Sequence, residues 1–513
     1  MTTPSRRIAG SLMLSIALIA AACSDDGGPL ADEPSEPVTT TTTAPPVTTE
    51  PTTRDDTSAD PPPEEDVLTI TGPITTGAGI PQTATPIDLE ARGYIEEEYF
   101  VSGDAVSYEA VGEWGTDGAW DVSVAATEPF ATRILVRRPA DAGAYNGTTV
   151  VEWLNVSSNV DIDIDFVFAS EELLRGGYTW VGVSAQAVGI TGDGVDSPFG
   201  PGALGLQAWD PVRYGDLVHP GDAFSYDIFS QVGAALRAPG AVDPLDGLGV
   251  DRLLATGESQ GAFRLLTYTN AVQPVAEVYD GILIHSRNGS GAPLTGETMA
   301  GGEVPDTAAI RTDLDIPVFQ VETETDLFAL GLPFPPARQP DTDRIRTWEV
   351  AGLAHSDSYY LSRLSEQGLR QFEDFLDLSA FLVQMNSGPQ NHIMNAALRY
   401  LDRWVADGTL PPTAAPIETA DGAIVRDGDG NAVGGLRTPH LDVPIATLTG
   451  EGLSVVGQTL PFDEATLAAR YGDEAGYLAA FTVALDATID AGFVLADDRD
   501  AILAEAAARY PDL

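Results

Sequence analysis

Residues 252–272, RLLATGESQGAFRLLTYTNAV, change from a strand pattern to a helix pattern at one glycine-rich turn. The part before Gly257 is a continuous apolar run, as in a buried strand, and the part after Gly261 has helical spacing. The two glycines stand two residues before and two after Ser259, where larger side chains would collide with the neighbouring strand or helix. Ser259 is therefore either a nucleophile held in a strained turn or an ordinary turn residue, and the rest of the chain must distinguish these.

Other short apolar runs rich in Val, Ile and Trp predict further strands. They are TRILVRR (132–138), TTVVEWLNV (148–156), YTWVGVSAQ (178–186), YDGILIHS (279–286), IPVFQVET (316–323) and RIRTWEVAG (344–352). Helical spacing is found at 165–177, 223–237 and 391–408. Buried strands that alternate with amphipathic helices predict an α/β fold with a mostly parallel sheet flanked by helices.

An acid cluster and a histidine follow the last two predicted strands. The run at 316–323 leads into Glu322, Glu324 and Asp326, and the run at 344–352 leads into His355. The order serine, acid, histidine suits a nucleophile, a general base and a carboxylate that orients the base. We predict Ser259 as the nucleophile, His355 as the base and Asp326 as the acid, with Glu324 and Glu322 as alternative acids.

Acyl transfer also needs N–H donors for the oxyanion of the tetrahedral intermediate. The backbone N–H of Gln260, at the start of the predicted helix, is one candidate. The second is expected from the loop after TTVVEW, at Asn155 or Val156.

Other polar residues are expected to have structural roles. Asp161, Asp163 and Asp165 in DIDID are interpreted as solvated loop acids rather than metal ligands, and His219 and His285 as structural histidines. The chain has no P-loop, dinucleotide fingerprint or Cys/His zinc spacing, so we expect no cofactor and no metal.

The N-terminal residues predict export. Arg6 and Arg7 precede a short apolar run, and the residues that end in Cys23, the only cysteine, resemble the lipobox of bacterial lipoproteins, which implies signal peptide 1–23 and lipidation at Cys23. Residues 24–66 are rich in Thr, Pro and acids, which is typical of a disordered linker. These features predict a protein anchored to a membrane outside the cytoplasm, and the net charge of -51 argues against a nucleic-acid partner.

Several motifs together resemble a bacterial α/β-hydrolase-domain family. They are VVEWLNVS, GYTWVGVSAQAVG, YGDLVHPGDAFSYDIFSQ, GESQG, QVETETD, DRIRTWEVAGLAH and GGLRTPHLDVPIATLTG, spread from about residue 70 to the C-terminus. The resemblance implies the α/β-hydrolase fold and a serine-hydrolase triad. We expect a catalytic domain at 67–408, and a mainly helical extension at 409–513 packed on it.

The resemblance does not imply a substrate. Insertions at about 187–222 and 286–312 are expected to act as lids over the site. We expect small-molecule or lipid carboxylic esters as substrates. An amidase or peptidase with the same triad, and a catalytically silent ligand-binding lipoprotein, are the alternatives.

Overall fold

The computed structural model describes most of the chain after the linker. The described residues are 68–192, 205–296, 301–328, 331–371 and 382–510. The predicted signal peptide, Cys23 and the linker at 24–66 lie outside them, as do parts of both predicted insertions. Within the described ranges, none of the helices is long and apolar enough to cross a membrane.

A nine-stranded sheet organises the fold, in the order β1-β2-β3-β5-β4-β6-β7-β8-β9. Its strands are β1 (Thr69–Thr71), β2 (Tyr94–Val111), β3 (Asp121–Pro139), β4 (Thr148–Trp153), β5 (Thr179–Val183), β6 (Arg252–Glu258), β7 (Gly281–His285), β8 (Val318–Thr323) and β9 (Ile345–Val350). Strands β4 to β9 pair in parallel, whereas β1, β2 and β3 are antiparallel additions at one edge. The predicted α/β class and mostly parallel sheet are confirmed.

The antiparallel edge contains a long hairpin. Strand β2 pairs with β3 along its whole length, with one register shift between Ser107 and Tyr108. The sequence predicted only the buried end of β3, because the first residues of that strand are largely exposed and lack a continuous apolar run.

Helices cover both faces of the sheet. They are α1 (Ile164–Arg175), α2 (Ala187–Thr191), α3 (Leu206–Trp209), α4 (Pro211–Tyr214), α5 (Ser225–Arg237), α6 (Gln260–Thr267), α7 (Gln273–Ala276), α8 (Glu324–Phe328), α9 (Ser358–Gln371), α10 (Gln390–Asp407), α11 (Pro439–Asp442), α12 (Glu464–Tyr471), α13 (Glu474–Asp490) and α14 (Arg499–Arg509). A π-helical turn, Tyr268–Val272, joins α6 to α7.

Shorter elements complete the chain. They are the 3-10 turns Glu90–Arg92, Ala142–Ala144, Asp222–Phe224, Pro335–Ala337, Leu382–Gln384, Ser454–Val456 and Ala496–Asp498, and the short strands β10 (Thr419–Ala420), β11 (Ala423–Ile424), β12 (Ala446–Thr449) and β13 (Gln458–Pro461).

Two apolar layers lie on opposite faces of the sheet, because successive side chains of a strand point to opposite sides. In β4, Val150 belongs to the layer that contains α1 and α10, and Val151 to the layer that contains α5 and α6. The first layer also contains Phe481 and Leu485 of α13. The residues after α10 therefore share a core with the sheet.

Candidate active site

Ser259 occupies a strained turn between β6 and α6. Its φ is 53°, a left-handed value that costs free energy in a residue with a side chain. The glycine spacing has the predicted cause: a Cβ on Gly261 would come within 2.7 Å of the Trp153 carbonyl oxygen, and one on Gly257 within 3.1 Å of the Gly261 backbone. The local fold thus fixes the serine at the end of the strand.

His355 contacts both Ser259 and Asp326. The histidine lies in the loop after β9, and its Nε2 is 2.7 Å from Ser259 Oγ while its Nδ1 is 2.7 Å from Asp326 Oδ1. The other oxygen, Oδ2, of Asp326 accepts hydrogen bonds from the Thr323 N–H at 2.6 Å and the Thr323 hydroxyl at 2.8 Å. All three predicted residues are buried, so their hydrogen bonds are screened from water.

The two alternative acids lie elsewhere. Glu324 accepts hydrogen bonds from the backbone N–H of Gly352 at 2.7 Å and of Gly450 at 3.0 Å, and pairs with Arg426. Glu322 faces the buried Arg287 at 3.9 Å, and burial raises the pKa of Glu322 well above its ordinary value. The carboxylate that contacts His355 belongs to Asp326.

The three candidate oxyanion donors differ in availability. Gln260 is the first residue of α6, so its N–H has no acceptor within the helix. The Val156 N–H points at the side-chain oxygen of Gln260 over 3.4 Å, a weak contact. The Asn155 N–H donates to the Ile162 carbonyl at 3.1 Å. The prediction of Asn155 as a donor is therefore wrong, because its N–H is already used, while Gln260 and Val156 remain candidates.

Glu258 is a further site residue, not among those predicted from the sequence. Its side chain is buried, with Oε1 3.4 Å from His355 Nε2, and Oε2 accepts from the Asn155 side-chain amide at 3.3 Å. Burial, followed by the nearby Asp165 and Asp326, raises the pKa of Glu258 well above its ordinary value. The available signal was a charged residue directly before Ser259, at the end of β6.

The interpretation of the DIDID acids as solvated is wrong. Asp161 pairs with Arg133 at 2.6 Å, Asp163 with Arg137 at 2.5 Å, and all three aspartates are buried. Both arginines come from the TRILVRR part of β3 and are fully buried, where a charge needs a partner. These pairs hold the loop that carries the candidate donor Val156.

The third aspartate pairs with a buried histidine. Asp165 Oδ1 is 2.8 Å from His285 Nδ1, and His285 Nε2 contacts Gln390 at 3.0 Å. His219 Nε2 lies 2.9 Å from the Ala185 carbonyl oxygen, and burial lowers the pKa of His219. Both histidines are held by neighbouring side chains or backbone.

A small cavity opens at Ser259, with a volume of about 40 Å³. Its lining comes from the loop after β4, the turn at Ser259, the loop and helix after β9, and the turn Ser454–Val456. The lining residues are Asn155, Ser157, Ser158, Ile162, Ile164, Glu258, Ser259, His355, Ser356, Tyr360, Leu361, Leu364, Val455 and Val456. Neither predicted lid insertion contributes a described residue to this lining, whereas the C-terminal region contributes two.

A larger cavity of about 600 Å³ lies in the C-terminal region. Its lining includes His440, Phe462, Tyr477 and Arg509, and none of the described residues that line it is a predicted site residue. The space at Ser259 is therefore the one that bears on the predicted chemistry.

Comparison with known proteins agrees with the fold. A family model described as an alpha/beta hydrolase domain matches residues 70–504. No curated protein matches the chain.

The solved structures that match this chain share little sequence identity with it. A serine hydrolase of Xanthomonas campestris, described as lacking a lid, is 14% identical, with 54% of this chain and 95% of that chain covered and a TM-score of 0.27. A thermostable esterase of Pseudomonas putida is 12% identical, with 59% of this chain and 86% of that chain covered and a TM-score of 0.25. An acylaminoacyl peptidase of Pyrococcus horikoshii is 8% identical, with 52% of this chain and 41% of that chain covered and a TM-score of 0.27. Similarities this low do not bear on the reaction or the substrate.

Proposed function

Since the chain belongs to the alpha/beta hydrolase domain family, we propose that it is a serine hydrolase that cleaves carboxylic esters through an acyl-enzyme. One observation carries the proposal: the His355 ring lies between Ser259 Oγ and Asp326 Oδ1, at 2.7 Å from each. That arrangement joins a nucleophile, a base and a group that orients the base.

The first half-reaction forms the acyl-enzyme. Ser259 Oγ attacks the ester carbonyl carbon while its proton moves to His355 Nε2, and the carbonyl oxygen becomes an oxyanion that faces the N–H groups of Gln260 and Val156. The intermediate then collapses: the C–O bond to the alcohol breaks, and Nε2 returns its proton to the leaving oxygen. Each well-aimed oxyanion donor contributes about 3 kcal/mol to stabilisation of the transition state.

The second half-reaction releases the acid. Water attacks the acyl carbon and gives its proton to Nε2, and the bond to Ser259 Oγ breaks as Nε2 protonates that oxygen. Asp326 accepts the Nδ1–H throughout, which keeps Nε2 free as the base and stabilises the imidazolium. The two hydrogen bonds from Thr323 keep the carboxylate in this orientation.

The first test is covalent labelling of Ser259. We expect a small dialkyl fluorophosphate to modify the full-length protein at Ser259, located by mass spectrometry, and Ser259→Ala to abolish the label. Ser157→Ala is the matched control, because Ser157 lines the same cavity, and it should keep the label. A folded protein that takes no label, or a label that persists in Ser259→Ala, would contradict the proposal.

The second test compares an ester with an amide of the same acyl group. We expect p-nitrophenyl acetate to be hydrolysed and p-nitroacetanilide to be cleaved far more slowly, because an amine is the poorer leaving group. Faster cleavage of the anilide would favour an amidase.

We further propose that the protein acts outside the cytoplasm, anchored by lipid at Cys23. Support comes from the apolar run after Arg7 and the small residues before the only cysteine. Two or more acyl chains are enough for stable attachment to a membrane. In the native host, Cys23→Ala should move the protein from the membrane fraction to the soluble fraction, and an unchanged membrane fraction would exclude the anchor.

A further inference from the structure

The cavity at Ser259 has an apolar wall. Seven of its lining side chains are aliphatic or aromatic and buried, namely Ile162, Ile164, Tyr360, Leu361, Leu364, Val455 and Val456. The polar lining groups are the site residues and the serines beside them. Such a wall suits an uncharged aliphatic group, because a charge placed there would lose its hydration without gaining a partner.

Backbone hydrogen bonds fix the part of the wall that comes from the C-terminal region. The Ser356 N–H donates to the Val455 carbonyl at 2.9 Å, and the Asn386 N–H donates to the Val456 carbonyl at 3.0 Å. The Asn386 carbonyl accepts from the Ser358 N–H at 2.8 Å, at the start of α9. The turn Ser454–Val456 is thereby tied to the same backbone that carries His355.

The opposite side is held in the same way. Ile162 and Asn155 exchange two backbone hydrogen bonds, of 2.9 and 3.1 Å. Tyr360 stacks on Phe168 of α1, with ring centroids 5.5 Å apart. These contacts fix the backbone of the wall on both sides.

The volume limits what the cavity holds. A water-sized group needs about 10–15 Å³ in this measure, so about 40 Å³ accommodates roughly three such groups. With the carbonyl oxygen placed at the oxyanion donors, roughly three such groups correspond to the carbon chain of a short acyl group, about two to four carbons.

We propose that this cavity is the acyl pocket and that it restricts the enzyme to esters of short, uncharged aliphatic acids with about two to four carbons. The inference rests on the proposed function. The acyl group is the part that must fit, because it stays bonded to Ser259 through both half-reactions, whereas the alcohol leaves after the first.

The test is a chain-length series with a constant leaving group on the full-length protein. We expect kcat/KM to fall about 100-fold or more from p-nitrophenyl acetate to p-nitrophenyl octanoate, since one methylene too many for a pocket costs roughly tenfold or more and octanoate carries several. A parallel series of acetate esters of phenol and naphthol should show a smaller spread in kcat/KM.

Two variants enlarge the pocket. Leu364→Ala and Val456→Ala should each raise the ratio of octanoate to acetate kcat/KM at least about tenfold. Leu398→Ala is the matched control, because Leu398 is buried in α10 and does not line the cavity, and it should leave the ratio unchanged. Circular dichroism identifies a variant that fails to fold, and the smaller truncation Val456→Ala then carries the comparison.

The outcomes separate this inference from the proposed function. If the fluorophosphate labels Ser259 but octanoate is cleaved as fast as acetate, if the folded enlarging variants leave the ratio unchanged, or if no ester of the series is cleaved, the acyl-pocket inference is overturned. If Ser259 takes no label, the proposed function fails and the inference fails with it.

Discussion

Asp326→Asn tests the orientation of His355 most directly. In the wild type, Asp326 Oδ2 accepts two hydrogen bonds from Thr323 and Oδ1 accepts the Nδ1–H of His355. An asparagine has only one oxygen for these two positions. The Thr323 backbone N–H, 2.6 Å away, is a fixed donor, so the amide oxygen stays on that side and the NH2 group turns toward His355.

The turned amide changes the tautomer of the histidine. Nδ1 must then accept a hydrogen bond, which moves the ring proton to Nε2, and Nε2 no longer takes the proton of Ser259. Loss of the correct tautomer in such a triad lowers kcat by about 10³–10⁴-fold, which corresponds to about 4–5.5 kcal/mol in the activation barrier. The free energy of unfolding should change by much less than this barrier does, because asparagine keeps the shape of the aspartate side chain.

The assay is hydrolysis of p-nitrophenyl acetate under saturating conditions, with Glu324→Gln as the matched control. Glu324 holds backbone N–H groups and Arg426, so its substitution should lower the melting temperature and leave kcat within about tenfold. The reasoning is refuted if Glu324→Gln lowers kcat more than Asp326→Asn does, or if Asp326→Asn keeps at least a tenth of the wild-type kcat.

Three further predictions concern neighbouring residues. Burial raises the pKa of Asp357 to about 7, so the folded state binds this proton more tightly than the unfolded state and stability falls as pH rises toward 7. Asp357→Asn keeps an oxygen for the Tyr360 N–H but has no carboxyl group to titrate. Between pH 5 and pH 8, the free energy of unfolding of this variant, measured by thermal unfolding, should therefore rise relative to that of the wild type by up to about 3 kcal/mol. The same pH dependence in both proteins would contradict this prediction. Glu258→Gln mimics the protonated carboxyl that the raised pKa favours, so kcat/KM at pH 7 should stay within about threefold, and a 100-fold loss would mean that the carboxylate is required. Gly261→Ala should destabilise the protein by about 1–3 kcal/mol in thermal unfolding, because its Cβ meets the Trp153 carbonyl oxygen at 2.7 Å, and an unchanged melting temperature would show that the turn relaxes freely.

The parts of the fold that sequence predicts are those fixed by local patterns. Apolar runs locate β4 to β9, because strands buried on both faces need continuous apolar residues. The glycine spacing around Ser259 locates the turn, since only glycine fits against the adjacent backbone. The chain order then leads to His355 and Asp326.

The errors arise where contacts that no sequence pattern marks decide the outcome. Asp161 and Asp163 pair with Arg133 and Arg137 of β3, and Asp165 pairs with His285, and no local pattern announces such pairs. Asn155 is excluded as a donor by its bridge to Ile162, a contact across a short loop that spacing does not reveal. The wall at Val455 and Val456 lies far along the chain from His355, so the cavity is visible only in three dimensions.

This remote wall has a consequence for local unfolding. Ser259, Asp326 and His355 all follow strands of the central sheet, whereas the turn Ser454–Val456 comes from the region after α10. Parts of a protein can open locally while the rest of the fold stays intact. If this turn opened locally, the reactive serine would lie beside a widened pocket, and selectivity for the acyl group would be lost before activity.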